Sequence, residues 1–402
     1  MVPPSDEVQE GGTKVLDFSF SPAQEDYRCA VRQLALTELL PRYQSGDANQ
    51  AYPADQVRRV LAFSREFWAE RGEEPNLVSV GITAEEVARG DFNAVLTALG
   101  PTYTRLLLKE AAPTLLDRWL PGLTSGDQII GLCLTEPGAG SDMGAMAAAA
   151  VRNGDSYVIN GIKNSVSYLN ADVFYVFART DPEASGWRGI SAFLIPREAP
   201  GMSFEEVEDL GCRAVPRGTL TLEDVEVPSE WMVGAPGQAF AMISHFFDIN
   251  RAIIGLTCIG AAMQSLDETI EYTKNRIVFS APLASNQAVS FGLAEDVTHL
   301  ELAGLMCYKV LWMRQNQIPC QDYGAMVKWY APKMAVEAVH RCLRLHGHYG
   351  YSTELPHQQR LRDIIGWQIG DGSEEIMKML IARSRFGRAT FDGNVETGRR
   401  QS

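Results

Sequence analysis

The chain has 402 residues, 46% of them hydrophobic and 21% charged, and a formal net charge of −14. That is a globular composition with room for two or three packed units, and its acidic balance argues against a nucleic-acid partner, which asks for a basic patch. The seven cysteines are scattered, with no CxxC pair, so they read as reduced thiols of a cytoplasmic protein, not a disulfide frame or zinc site. No run reads as long and charge-free enough to cross a bilayer, and the polar, acidic start resembles neither a signal peptide nor an Arg-rich transit peptide.

Residues 1–17 read as a disordered arm. Ser21-Pro22-Ala-Gln24 announces the first helix, with a cap, a proline at the first helical position and a reciprocal glutamine. Helical periodicity continues through Tyr27, Val31, Leu34, Ala35 and Leu39. A second helix is expected from Asp55 to Trp68. Thr83-Ala-Glu-Glu86 reads as a capping box opening a third, and one further helix after Gly100-Pro101 holds Leu106, Leu107, Leu115 and Leu116. The texture changes at Ile129. Short alternating runs follow up to Pro228, among them 156–161, 173–178, 190–195 and 219–227, and Asn153-Gly154-Asp155 and Asn160-Gly161 read as hairpin turns. Long helices return over 255–275, 289–315 and 323–345, the third expected to kink at Pro332. The expected architecture is α+β and multidomain: an N-terminal helical domain (18–128), a central antiparallel β-sandwich or barrel (129–235), a C-terminal four-helix bundle (236–393) and a tail (394–402).

Four stretches could carry chemistry. Leu134–Asp142 leaves the first strand as a Gly-, Pro- and hydroxyl-rich loop that could meet a flat or phosphorylated ligand, though an ordinary turn reads equally well. Arg276 and Phe279 follow a helix and could hold a phosphate and a ring, or be an exposed helix end. His340, His346 and His348 match no zinc spacing. Near the end, Gly370-Asp371-Gly372-Ser373 precedes an apolar helical pattern at Ile376, Met379 and Leu380. Either Asp371 is a carboxylate beside free helix N–H donors, able to take a proton from a substrate, or the stretch is only a helix cap with Ser373 as N-cap.

Taken together, Leu134–Asp142, Asn160-Gly161-x-Lys163, Phe193-Leu-Ile-Pro196, Leu222–Pro228, Arg276-x-x-Phe279, Gly350-Tyr351-x-Thr353-Glu354 and Ile369–Arg383 resemble the acyl-CoA dehydrogenase family in order and spacing over about residues 18–390. The resemblance implies FAD, an acyl-CoA substrate, an electron-transferring flavoprotein as acceptor, and a homo-oligomer, usually a tetramer, joined through the C-terminal bundle. It places Asp371 at the catalytic-base position. It assigns Leu134, Thr135, Ser141, Ser165, Ser167, Arg276, Phe279, Gln287, Arg344, Gly347 and Ser373 to the cofactor, with Arg276 and Phe279 reaching the FAD of a neighbouring subunit. Ser141, Asp248, Arg251, Gly370, Gly372 and Arg383 fall on the substrate side. The implied chemistry is α,β-dehydrogenation: a carboxylate takes the α-proton while the β-hydrogen leaves as hydride. The thioester oxygen is held by the base residue's own N–H and a flavin hydroxyl, fixed donors that help a general base act on a weak carbon acid.

The chain departs from the family at several of these positions. The base is usually Glu; Asp371 is one methylene shorter, and a displacement of about 1 Å can cost on the order of a hundredfold in rate. The alternate base position of some branched-chain members falls on Asn250, which cannot take a proton. Gly370 replaces a bulky aromatic, as in branched-acyl members, and members acting on alicyclic thioesters resemble this chain in using Asp. Ser165 stands where a flavin-side Trp is usual. Ser280, Arg344 and His348 replace Gly, Gln and Gly, and 67–76 replaces a Gly-rich segment that usually helps wall the acyl pocket. The expectation is a cyclic, cyclohexanecarboxyl-like, or branched acyl-CoA. The alternatives are an acyl-CoA oxidase, a nitroalkane-oxidase-like enzyme, a dehydrogenase of carrier-protein-bound acyl groups, or a flavin-binding homologue without turnover.

Overall fold

The computed structural model describes residues 19–95, 99–387 and 391; the expected arm and tail lie outside them. The N-terminal helices are α1 (Pro22–Leu34), α2 (Leu40–Asn49), α3 (Ala54–Glu70), α4 (Leu77–Gly90), α5 (Gly100–Leu107) and α6 (Pro113–Ser125), with a π-helical turn at Ala35–Leu39 joining α1 to α2. The capping box at Ser21 forms as expected, with Ser21 Oγ accepting from Gln24 N and Gln24 Oε1 accepting from Ser21 N.

Two helix expectations are corrected. Thr83 opens no helix: α4 is capped by Asn76, whose side chain accepts from Ser79 N. Thr83 sits mid-helix, donating back to Ser79 O at 3.1 Å and meeting the Tyr27 hydroxyl at 2.9 Å. Its apparent partner Glu86 is fully buried and takes both Arg32 (2.6 Å) and Arg89 (3.2 Å). A buried ion-pair helix thus imitated the capping spacing. The single helix expected after Gly100 is two, because Pro113 begins a new one.

The β unit has eight strands among the described residues: β1 (Ile130–Cys133), β2 (Ala149–Asn153), β3 (Ser156–Ser167), β4 (Val173–Arg179), β5 (Ile190–Pro196), β6 (Met202–Glu206), β7 (Arg217–Pro228) and β8 (Met232–Val233). They run in the order β6-β7-β3-β2-β4-β5-β8, largely antiparallel, with β1 and β2 pairing β4 in parallel. β4 and β5 are apolar throughout because both faces are covered. Val173, Tyr175, Phe177, Ile190, Ala192 and Leu194 join the helical core, while Phe174, Val176, Phe193 and Ile195 pack with Ile159, Leu220 and Val225 of the facing strands.

Gly154-Asp155 is the expected two-residue hairpin turn between β2 and β3. Asn160-Gly161 is not a turn; it lies inside β3 at a bulge. Gly161 has φ +155, and a Cβ there would come within 2.5 Å of the Ala148 side chain. The glycine serves a close approach of β3 to the chain entering β2.

The C-terminal unit comprises α7 (Ala239–Asn275), the small hairpin β9 (Ile277–Val278) and β10 (Ala281–Pro282), α8 (Gln287–Gln315), α9 (Gln321–Leu345), α10 (His348–Tyr351), α11 (His357–Ile369) and α12 (Glu374–Phe386). α7, α8 and α9 pack on one another, α11 and α12 lie against α9, and α4 packs across α7 and α8. α9 runs unbroken through Pro332, which is buried. One expectation about membranes is corrected: α7 is long and apolar enough to span a bilayer by length and composition. Yet 83% of its most apolar window is buried inside the protein, as the central helix of the bundle. All seven cysteines are unpaired.

Candidate active site

Asp371 stands in the link between α11 and α12. Gly370 ends α11 in extended backbone, Asp371 has φ +54 and Gly372 φ +102, and Ser373 caps α12 by accepting from Ile376 N at 3.4 Å. A left-handed aspartate costs of order 1 kcal/mol and marks a residue held for a purpose. The fixing comes from below. Lys328 of α9, only 1% exposed, donates to Trp367 O at 2.7 Å and Gly372 O at 3.1 Å, one carbonyl before and one after the aspartate.

The Asp371 carboxylate opens into a cavity of about 190 Å³ between the helical and β units. One wall is α5 and its neighbours, with Tyr103, Thr104, Leu107 and Leu123; the other is the end of β1 and of β3, with Leu134, Thr135, Asn164, Ser165 and Ser167. Phe246, Asn250 and Trp367 complete the lining around the carboxylate. The site therefore joins residues more than 200 positions apart. None of 67–76 lines it; α5 supplies the wall that this segment leaves undetermined in sequence.

The β-side wall is locked by a pair that sequence reading overlooked. Lys163 Nζ, with no exposed side chain, meets Glu136 Oε1 at 2.6 Å. Glu136 also accepts from Ala147 N at 2.6 Å and Ala148 N at 3.1 Å. Burial pushes the Lys163 ammonium below its usual range, and Glu136 opposes that shift. Both residues lie in quoted motifs, but nothing in either motif says that they face each other. A bulge between Lys163 and Val166 then turns Ser165 out at φ +53.

Leu134, Thr135, Ser165, Ser167 and Asp371 are brought together. Gly370, Gly372 and Ser373 form the turn that carries the aspartate. Asp248 and Arg251 lie one helical turn apart on α7, 3.7 Å from each other and largely buried, behind Asn250. Burial pushes the Arg251 guanidinium down, with Asp248 and Asp371 opposing. The others do not line this cavity. Ser141 is exposed at its loop tip, Arg276 and Gln287 are exposed around the β9–β10 hairpin, and Phe279 is fully exposed. Arg344 and Gly347 are exposed at the end of α9, and Arg383 is half-buried on α12 beside the Phe391 ring. His346, from the histidines that match no zinc spacing, lies between the Tyr272 ring, stacked at 4.2 Å, and the His357 ring, tilted at 4.4 Å.

Tyr103 and Asn250 are additions of the tertiary structure. The Tyr103 hydroxyl donates to Asn250 Oδ1 at 2.7 Å, and Asn250 Nδ2 donates to Asp371 Oδ2 at 3.0 Å.

The cavity thus sets a carboxylate opposite three hydroxyls, those of Thr135, Ser165 and Ser167, which make no hydrogen bond of their own to another described residue. Leu132, Leu134 and Trp367 add apolar surface between them. Such a donor set suits the polar edge of a flat heteroaromatic ring, and the apolar residues suit its face.

Residues 131–225 match the family described as "Acyl-CoA dehydrogenase, middle domain", and 237–386 match "Acyl-CoA dehydrogenase, C-terminal domain". The mitochondrial short-chain specific acyl-CoA dehydrogenase of Rattus norvegicus is 32% identical over 363 residues, 88% of each chain. A glutaryl-coenzyme A dehydrogenase solved with glutaryl-CoA superposes with a TM-score of 0.86 at 30% identity, covering 92% of this chain and 97% of that one. The prolyl acyl carrier protein oxidase AnaB superposes at 0.83 with 25% identity, covering 91% and 99%. The chain belongs to the acyl-CoA dehydrogenase family. It is an FAD-dependent oxidoreductase of that fold.

Proposed function

We propose that the protein removes hydrogen from Cα and Cβ of a compact cyclic or branched acyl thioester, with Asp371 as the base. The observation that carries this is the Asp371 carboxylate, held in a strained turn and directed into a cavity that also gathers the Thr135, Ser165 and Ser167 hydroxyls. Asp371 takes the α-proton, and the electron pair of that C–H bond becomes the new C=C bond. The chemistry FAD supplies when bound is acceptance of the β-hydrogen with its bonding pair. Thr135 and Ser167 would hold its ring edge, and the Asp371 N–H would steady the thioester oxygen.

The acyl preference rests on volume. A Cβ on Gly370 would meet nothing nearer than Gly366 O at 3.5 Å, so no clash forces glycine there, and it leaves the position before the base without the aromatic that is usual. A ring then sits against Tyr103, Leu107 and Phe246 and brings Cα toward the shorter side chain. Cyclohexanecarboxyl-CoA should exceed butyryl- and octanoyl-CoA in kcat/KM by at least about tenfold, the scale on which apolar pockets discriminate. A steady-state series with an artificial acceptor reads this, and a straight-chain substrate coming out ahead would sink the preference.

A carrier-protein-bound acyl group is the second reading, favoured by the likeness to the prolyl carrier protein oxidase. Turnover of an acyl carrier protein thioester but not the matching CoA ester would select it. Electron-transferring flavoprotein is the proposed acceptor; faster re-oxidation of reduced enzyme by air than by that protein would point to an oxidase instead.

We also propose a homotetramer. Arg276 and Phe279 sit on a hairpin away from their own cavity, and Phe291, Leu302 and Leu305 are exposed along α8. An aromatic held fully exposed at φ +50 suits a neighbouring subunit's cofactor. Phe279→Ala should leave the fold intact and lower FAD retention on gel filtration by roughly fivefold, the scale of about 1 kcal/mol for a stacked ring. Light scattering giving a monomer with full FAD content would end this proposal.

A further inference from the structure

The base is a short carboxylate, and three elements converge to hold it. Asn250 on α7 spans the gap between Asp371 and Tyr103 on α5, with contacts of 3.0 and 2.7 Å. The amide orientation follows from chemistry. An ionised carboxylate only accepts hydrogen bonds, so the Asn250 NH₂ end must face Asp371, which leaves its carbonyl for the Tyr103 O–H. Asn250 is 4% and Tyr103 8% exposed, so water does not substitute readily for either partner. Burial, then the neighbouring Asp371, hold the Tyr103 hydroxyl well above its ordinary pKa, so it remains a donor.

Resting on the reading of Asp371 as base, we propose that Tyr103 and Asn250 are positioning residues that set the reach and direction of Asp371 and link them to occupancy of the acyl pocket. The aromatic body of Tyr103 stands edge-on to Phe246, with ring centroids 5.0 Å apart, and both rings line the cavity. An acyl group resting on Tyr103 therefore presses on the residue whose hydroxyl ends the chain of hydrogen bonds to the base. Asn250 supplies from α7 what a longer side chain would supply by itself: a fixed direction for the carboxylate oxygen.

The charged and titratable groups around the carboxylate come from each packed element. Tyr103 faces it from α5, Arg251 from α7 and Lys328 from α9. Asp248 offsets Arg251 at 3.7 Å, Lys328 is engaged by two carbonyls, and Glu374 on α12 is taken by Lys378. Among the described residues, Asn250 is the one whose hydrogen bond reaches the carboxylate itself. Losing that donor leaves the carboxylate without its fixed direction.

The test uses the FAD-loaded protein. Asn250→Ala, Tyr103→Phe and Asp371→Asn are mixed anaerobically with cyclohexanecarboxyl-CoA or butyryl-CoA, whichever bleaches the wild-type flavin faster, over a range of substrate concentrations. Asn250→Ala should slow the limiting rate of flavin reduction at least about tenfold, the worth of a hydrogen bond to a charged group, with a smaller effect on KM. Tyr103→Phe, which keeps the ring and so guards against misfolding of the alanine variant, should act the same way by less, again with a larger effect on the limiting rate than on KM. A limiting rate that stays at the wild-type value in both variants overturns the proposal, as does an effect confined to KM. Undiminished flavin reduction in Asp371→Asn would instead overturn the assignment of the base, a separable result.

Discussion

Asp371→Asn is expected to slow flavin reduction by acyl-CoA by about 10²–10⁴-fold, the range a positioned general base contributes, while the bound flavin spectrum stays unchanged. The substitution is nearly isosteric. Its side-chain oxygen can still accept from Asn250, which lies 3.0 Å away, and the turn held by Lys328 through Trp367 O and Gly372 O involves only backbone. What is lost is the capacity to take a proton. Anaerobic single-turnover bleaching separates this from binding, because substrate saturation can be checked independently. A rate within tenfold of wild type would remove Asp371 from the chemistry. Among the described residues, no other carboxylate lines the cavity to replace it.

Lys163→Met should destabilise the protein by about 3–5 kcal/mol, the cost of leaving one partner of a buried ion pair uncompensated. Glu136 is 5% exposed and would keep only the Ala147 and Ala148 amides. The same pair holds the 134–142 loop against β3, so Thr135 should lose its register with Ser165 and Ser167, and flavin should dissociate more readily. Urea unfolding of the holoenzyme measures the first effect and flavin fluorescence in the flow-through of a desalting column the second. Replacing both partners, Glu136→Leu with Lys163→Met, should recover most of the stability, since two matched apolar groups leave no stranded charge. A single variant within 1 kcal/mol of wild type would contradict this account of the loop.

Much of this was readable without coordinates. The helical–β–helical order followed from hydrophobic periodicity, which is a property of each segment alone. Ser21 and Gln24 capped a helix where their spacing said they would, and Ser373 capped α12. The Thr83–Glu86 spacing misled because a capping box and a pair of buried residues on one helix face have the same separation. Asn160-Gly161 misled because glycine serves close approach in a bulged strand as well as a turn.

The sequence by itself determined the family and the flavin, and it set Asp371 between two glycines ahead of a capped helix, because those lie in contiguous motifs whose chemistry is carried by residue type. Tertiary structure alone decided that Tyr103 and Asn250 hold Asp371, that Glu136 faces Lys163, that Lys328 grips the turn, and that α5 walls the cavity. Each of these is a contact between residues 27 to 147 positions apart or between separate units of the fold. Local propensity carries no information about which distant donor a buried acceptor will meet; packing of the helical and β units settles it. Asp371 shows both sides. Its identity is written in the chain, and its φ of +54 and its hydrogen bond to Asn250 exist only once α5, α7 and α9 have closed around it.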